Sequence, residues 1–192
     1  MKNTFNLNNL TCRLANTNNP INRAKAISII KDSADEAGAI HTLHHLEAID
    51  KPQCLNHLVW LAEYQDQYIG WMALSADVSE DSDAAYVTIM PYAIYVQDKH
   101  RGNGVVEQLI WKAAMDTALW STLELNYRSF EQFQLQKGLD EEVLNLYLEI
   151  EAKANAPLEA SLIEKISRAM TNAFEQQVEE LPYFVRSEQH LI

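Results

Sequence analysis

The sequence predicts an α+β fold on three observations. Segments rich in β-branched and aromatic residues mix with segments of helical apolar spacing in the order β, α, α, β, β, β, α, β and then helices. An apolar strand around Ile94, Tyr95 and Val96 passes through a basic loop with two glycines into an amphipathic helix. The 192 residues, 47% of them apolar, suit one compact domain with a sizeable core. Residues 1–192 therefore read as a single domain, with a core at 10–138 and a mainly helical C-terminal part at 139–192.

Residues 10–15 (LTCRLA) read as a first strand, followed by a polar loop ending at Pro20. Ala24, Ile27 and Ile30, with Ile29 beside them, give residues 21–31 one apolar helix face. Ser33 with Glu36 three residues on has the form of a capping box, which starts a second helix running to about Ile49. Pro52 stops it, because its ring has no amide hydrogen to continue the ladder.

Residues 58–64 (LVWLAEY) and 68–76 (YIGWMALSA) flank a polar turn and make a β-hairpin. Residues 84–96 are strand-like, but Pro91 cannot donate a ladder bond, so a bend or bulge is expected there, with the cleaner strand at 92–97. Val105, Val106, Leu109, Ile110, Ala113 and Ala114 line one face of a helix over 104–118, and a further strand is expected at 123–127. Beyond Asp140, Val143, Leu146, Tyr147, Ile150 and Ala154 form one helical stripe, and Leu162, Ile166, Met170, Phe174 and Val178 form another. Acidic residues 140–142 suit the start of the first of these helices and Pro157 the start of the second. Residues 182–186 (PYFVR) read as a last strand.

A formal net charge of -12 repels a polyphosphate, so nucleic acid is not expected as a partner. No apolar run reaches the roughly 18 residues that a membrane helix requires, so no membrane partner is expected either. The asparagine-rich first twenty residues lack the apolar stretch of a secretory signal. Cys12 and Cys54 are too few for a disulfide framework and lack CxxC spacing, which points to a reducing, cytoplasmic setting. His41 and His45 stand at a metal-compatible spacing beside His44, yet no HExxH motif or third ligand accompanies them, so no metal is expected.

The stretch most informative about function is residues 94–110, IYVQDKHRGNGVVEQLI. The first amides of a helix have no intrahelical partner, and the macrodipole adds roughly half a positive charge there. A phosphate is stabilised at such an end. Gly102 and Gly104 let the backbone approach phosphate oxygens, while Arg101, Lys99 and His100 add charge.

Arg101, Gly102, Asn103, Gly104, Val105 and Val106 resemble the acetyl-CoA-binding motif of the GNAT superfamily of N-acetyltransferases. That motif follows a strand with Arg or Gln, two residues, Gly, one residue, and Gly or Ala; Val106 stands at the last, usually small position. Gly70 occupies the place of the family's second-strand glycine, and roughly residues 10–127 follow the family's element order. The resemblance implies a GNAT-like acyl-CoA N-acyltransferase fold with a mixed sheet splayed at the bulged strand; the expected helical C-terminal extension departs from the family pattern, which closes with a short helix and two more strands. The resemblance also implies that acetyl-CoA lays its pantetheine arm along Ile94, Tyr95 and Val96 as an added strand.

An alkyl amine with a pKa near 10.4 must lose a proton before attack, and the departing thiolate benefits from an acid. By the resemblance, an acid tyrosine is expected on the helix after the fifth strand, where residues 143–149 (VLNLYLE) make Tyr147 the first candidate and Tyr127, at the end of the expected strand, the rival. Packing within its apolar stripe is the competing role for Tyr147. The helix carrying His41 and Glu47, with Asp50 just beyond it, is expected to border the acceptor groove. The sequence thus supports acetyl transfer from acetyl-CoA to an amine of unknown identity, with a catalytically silent acyl-CoA-binding or scaffolding module as the alternative. A homodimer through the C-terminal helices is a further expectation. A nucleotide-binding module is disfavoured by the missing GKS or GKT ending and the incomplete GxGxxG.

Overall fold

The computed structural model describes residues 5–15, 19–33, 39–40, 42–43, 57–80, 84–135, 144–150, 158–178 and 184–191. In chain order the elements are β1 (Leu10–Leu14), α1 (Pro20–Lys31), β2 (His57–Tyr64), β3 (Gln67–Glu80), β4 (Ala84–Val96), α2 (Val105–Leu135), β5 (Leu144–Ile150), α3 (Ala160–Val178) and β6 (Phe184–Leu191). The six strands form one sheet in the order β1-β2-β3-β4-β5-β6. Pairing is antiparallel from β1 to β4 and parallel from β4 through β5 to β6, so the sheet is mixed, as the resemblance implied.

Strand alternation sends successive side chains to opposite faces, and here both faces are apolar. Trp60, Met72, Leu74 and Ile89 pack under α2 and α3 with Leu109 and Phe174. Val59, Leu61, Trp71 and Ala73 pack on the other face with Ile29 and Ile30 of α1. Asn19 caps α1, its side chain accepting from the amides of Ile21 and Asn22, and Pro20 takes the first helical turn. The β2–β3 hairpin turns on Gln65 and Asp66, both at positive φ, which matches the twist of a two-residue turn.

The bulge expected near Pro91 is present. Ala73 pairs with Ala93 and Leu74 with Pro91, leaving Tyr92 as the extra residue, and the strand runs unbroken through it from Ala84 to Val96.

Three expectations are corrected. Residues 123–127 are not a strand: α2 continues to Leu135, because Ala118, Ser121, Thr122 and Leu125 prolong its buried stripe and no Gly or Pro interrupts it. The segment around Tyr147 is not a helix but β5, in which Leu148 and Ile150 point into the α2–α3 core while Tyr147 and Glu149 take the other face. The C-terminal part is therefore not a helical extension but a β5–α3–β6 crossover that adds two parallel strands to the sheet.

The stripe of Ile166, Met170 and Phe174 is buried on α3 as expected, and the last strand exists, from Phe184 to Leu191. Ser33 is buried; its hydroxyl donates to the Ile30 carbonyl at 2.9 Å and accepts from the Trp71 indole at 2.8 Å, closing α1. Its expected capping partner Glu36 lies outside the described residues, as do Cys54, His41, His44, His45, Glu47 and Asp50; Ala39, Ile40, Thr42 and Leu43 are helical.

Candidate functional site

β4 delivers the chain to the turn. Its pairing with β5 runs from Ala84–Asn145 to Ile89–Ile150, whereas its pairing with β3 continues to Gly70–Val96. From Met90 onward the described ladder thus lies on one side of β4 only, and the bulge at Tyr92 falls just past the last described β4–β5 pair. Tyr92 is held there by a 2.9 Å bond between its hydroxyl and that of Ser75. Ile94 and Val96 face the α2 side, and Tyr95 faces the α1 side.

The turn itself is hydrogen-bonded into shape. The Gln97 amide donates to the Ile69 carbonyl at 2.9 Å, and residues Asp98–His100 wind one 3-10 turn. Gly102 and Gly104 follow at φ +75° and +79°, a region that residues with a Cβ enter only at a cost of about 1–2 kcal/mol. Asn103 Nδ2 donates to the His100 carbonyl at 3.1 Å, and the Gln108 amide bonds the Gly104 carbonyl at 3.1 Å, the first rung of α2. A Cβ at Gly102 would meet nothing within 4 Å, so this side of the turn is open.

Arg101 does more than supply charge. Its Nε donates to the Val96 carbonyl at 2.9 Å, its Nη2 lies 3.2 Å from the Asp98 carboxylate, and its guanidinium sits 6.0 Å from the Tyr95 ring centroid. It ties the turn to the end of the strand. Gly102, Asn103, Gly104, Val105 and Val106 therefore come together with Arg101 at the start of α2, with Val105 buried and Val106 half-buried.

Two features of this end were not foreseen from the sequence. The Glu107 carboxyl is held below its ordinary value, first by the bond from its own backbone amide and then by Lys165, against an opposing effect of burial. Lys165 reaches it from α3 at 3.1 Å. The first turn of α2 thus already draws an anion to its amides, as the helix dipole requires. The second feature is the N-terminal segment: Phe5 stacks on Tyr64 at 4.3 Å, both rings flank His100, and Leu7 lies against Gly104. Burial and the neighbouring Lys99 lower the His100 pKa. No short motif marks residues 5–9 in the sequence, so only the tertiary contacts reveal this buttress.

A cavity of about 470 Å³ opens between α2 and α3, beginning at Glu107 and floored by Ile110, Ala114 and Ala173, with Trp111 and Arg168 at its rim. Its size is that of a small-molecule site.

The tyrosines predicted as acids lie elsewhere. Tyr147 sits on β5 opposite Tyr86, with the two rings stacked at 5.3 Å, three residues before the last β4–β5 pair. Tyr127 lies on α2, roughly 35 Å along the helix from Gly104 at 1.5 Å per residue. Neither adjoins the turn. Among the described residues, no group of three His, Cys, Asp or Glu side chains is arranged to hold a metal ion. Likewise, no described helix is long and apolar enough to cross a membrane.

No protein-family model and no curated protein matches the chain. Solved structures do resemble it. One is described as an acetyltransferase of the GNAT family from Desulfovibrio desulfuricans (13% identity, 57% of this chain, TM-score 0.43); the match spans 66% of that chain, just under two thirds of its length. A ribosomal-protein-alanine N-acetyltransferase from Brucella melitensis matches with 12% identity over 83% of this chain and 88% of its own, at a TM-score of 0.41. An aminoglycoside acetyltransferase from an uncultured soil metagenomic sample, solved with sisomicin, matches with 13% identity over 96% of this chain and 95% of its own, at a TM-score of 0.38.

Proposed function

We propose that this chain transfers an acetyl group from acetyl-coenzyme A to a primary amine of a small molecule or protein in the cytoplasm. One observation carries the reading: the stretch of β4 from Met90 to Val96, past its last described pair with β5, runs directly into the open glycine turn at the start of α2. A thioester whose pantetheine amides pair with that stretch, past Ile94, Tyr95 and Val96, has its diphosphate brought to the helix amides beside Gly102 and Gly104. The main chain supplies the affinity, and the α2–α3 cavity beginning at Glu107 offers room for the remainder of the coenzyme.

Isothermal titration with acetyl-coenzyme A tests the binding half. Gly104→Asp adds a like charge at the phosphate position, and Arg101→Ala removes both a cation and the clamp on Val96, so each weakens binding at least tenfold. Undiminished binding in both variants overturns the site. For transfer, thiol release with a panel of amines is the measurement. Tyr147, which shares a sheet face with Glu149, is the proposed acid for the departing thiolate, and Tyr147→Phe then slows release while leaving coenzyme binding intact. Equal rates would redirect the search to Tyr127 or to water.

A catalytically silent acyl-coenzyme A binder is the second reading. The position of Tyr147 favours it, stacked on Tyr86 within the described β4–β5 pairing rather than beside the glycine turn. Binding without thiol release from any amine would select it. A scaffolding or homodimeric role would use the outer face of α2, where Trp111, Leu119 and Leu123 are exposed, and light scattering reads that directly.

A further inference from the structure

We propose that residues 5–9 form a positioning wall of the coenzyme site, in which Leu7 and Phe5 hold the glycine turn in the shape that receives the diphosphate before any ligand arrives; the assignment rests on the acetyl-coenzyme A reading above. The segment has a shape of its own ahead of β1. Leu7–Asn9 wind one 3-10 turn capped by Asn6, whose side chain accepts from the Asn8 amide at 3.0 Å and whose carbonyl accepts from the Asn9 amide at 3.0 Å. The Asn6 amide donates to the Tyr64 hydroxyl at 3.3 Å, which ties the segment to the last residue of β2. Tyr64 is in turn held in the sheet by its pairing with Leu10.

From that footing the segment grips the turn at both ends. On the near side Phe5 stacks on Tyr64 at 4.3 Å, and His100 lies against both rings, at 5.6 and 6.0 Å between centroids. The His100 carbonyl accepts from Asn103 Nδ2 at 3.1 Å, so fixing His100 also fixes the residue between the two glycines. On the far side the Leu7 methyls lie 3.4 and 3.6 Å from the place that a Cβ on Gly104 would take, which is ordinary van der Waals contact. The same position on Gly102 has nothing within 4 Å among the described residues. The wall therefore closes the Gly104 side of the turn and leaves the Gly102 side to the phosphate oxygens.

Glycine loses more conformational freedom on ordering than any other residue, and this turn has two of them at positive φ. A ligand that had to order the turn itself would bind more weakly for it. A wall that orders the turn in advance removes that loss from the binding step. Leu7 is 43% exposed and stands outside both buried clusters, yet it lies on the turn; Phe5 joins the turn to the core on the α2 face of the sheet.

Titration of the full chain with coenzyme A and with pantetheine, which carries no phosphate, separates a shaped turn from a generally loosened protein. Leu7→Ala and Phe5→Ala are expected to bind coenzyme A about fivefold or more weakly than the parent, with pantetheine binding within about twofold and Leu7→Met retaining coenzyme A to within about twofold. Backbone amide relaxation of the ligand-free chain gives a readout that packing elsewhere would not move. Order parameters at Gly102, Asn103 and Gly104 should fall in both alanine variants and recover when coenzyme A is added. Binding of coenzyme A by Leu7→Ala within twofold of the parent overturns the assignment, and so do unchanged order parameters at the turn or an equal loss of coenzyme A and pantetheine. If Phe5→Ala fails to fold, Leu7→Ala decides alone, since that side chain lies outside the core. Absence of coenzyme A binding by the parent overturns the acetyl-transfer reading itself, a result distinct from a parent and a Leu7→Ala variant that bind equally well.

Discussion

Gly70 on β3 lies opposite Val96 on β4, and a Cβ placed on Gly70 would stand 2.7 Å from the Tyr95 carbonyl oxygen. No side chain fits there without parting the strands, because the obstructing atom is backbone. Gly70→Ala is therefore expected to cost about 1–3 kcal/mol, the usual range for overpacking, read as a lower urea midpoint. It should also weaken coenzyme A binding, since the displaced Tyr95 and Val96 lead into the turn. A variant as stable as the parent would show that β3 and β4 can slide apart freely.

The hydroxyls of Thr117 and Ser121 are fully buried on α2 without a hydrogen-bond partner among the described residues. An unmet buried hydroxyl carries a desolvation penalty that an apolar isostere does not. Thr117→Val and Ser121→Ala should leave stability unchanged or raise it by about 1 kcal/mol each, as thermal melts would record. Thr122→Val is the control. Its hydroxyl bonds the Ala118 carbonyl, so that replacement gains nothing.

His100, beside Phe5 and Tyr64, has its pKa lowered by burial and then by Lys99. The unfolded chain accordingly takes up its proton at a higher pH than the folded one. The folded state keeps its full advantage above the ordinary value of 6.5 and loses it as the pH falls through that value toward the lowered one. Urea midpoints between pH 7.5 and 5 should fall less steeply in His100→Asn. An identical slope in the variant would mean that this ring does not titrate differently in the two states.

Cys12 is half-buried on β1, and burial pushes its thiol from 9.0 up to about 11 against a smaller opposing effect of Lys112. Since the thiolate is the reactive form, two units leave roughly a hundredfold less of it at pH 8. Iodoacetamide should label Cys12 in the native chain about that much more slowly than in urea, followed by peptide mass spectrometry. Equal rates would place the sulfur in open solvent.

Much of the architecture was legible because the relevant signals are local. Asn19 followed by Pro20 starts α1, the hairpin announces itself by a polar turn between apolar runs, and Pro91 marks the bulge. The turn from Arg101 to Gly104 was legible for the same reason: only glycine enters positive φ at low cost, and two glycines before a helical stripe leave few other readings. The segment 144–150 carries two signals at once: Leu144, Leu146, Leu148 and Ile150 alternate strictly, while Leu146, Tyr147 and Ile150 also satisfy a helical spacing. Conversely, Leu123 and Leu125 alternate inside what is a helix.

By itself, then, the sequence determined the bulged strand, its glycine turn and the helix that follows, because each depends on φ preferences and amide chemistry carried by a few adjacent residues. Tertiary structure alone decided that residues 144–150 join the sheet beside β4, that Phe5 and Leu7 brace the turn, and that Glu149 meets Thr88 across the β4–β5 pair. A short apolar segment can satisfy two periods at once, and which one it adopts is settled by the backbone hydrogen bonds that a distant strand offers.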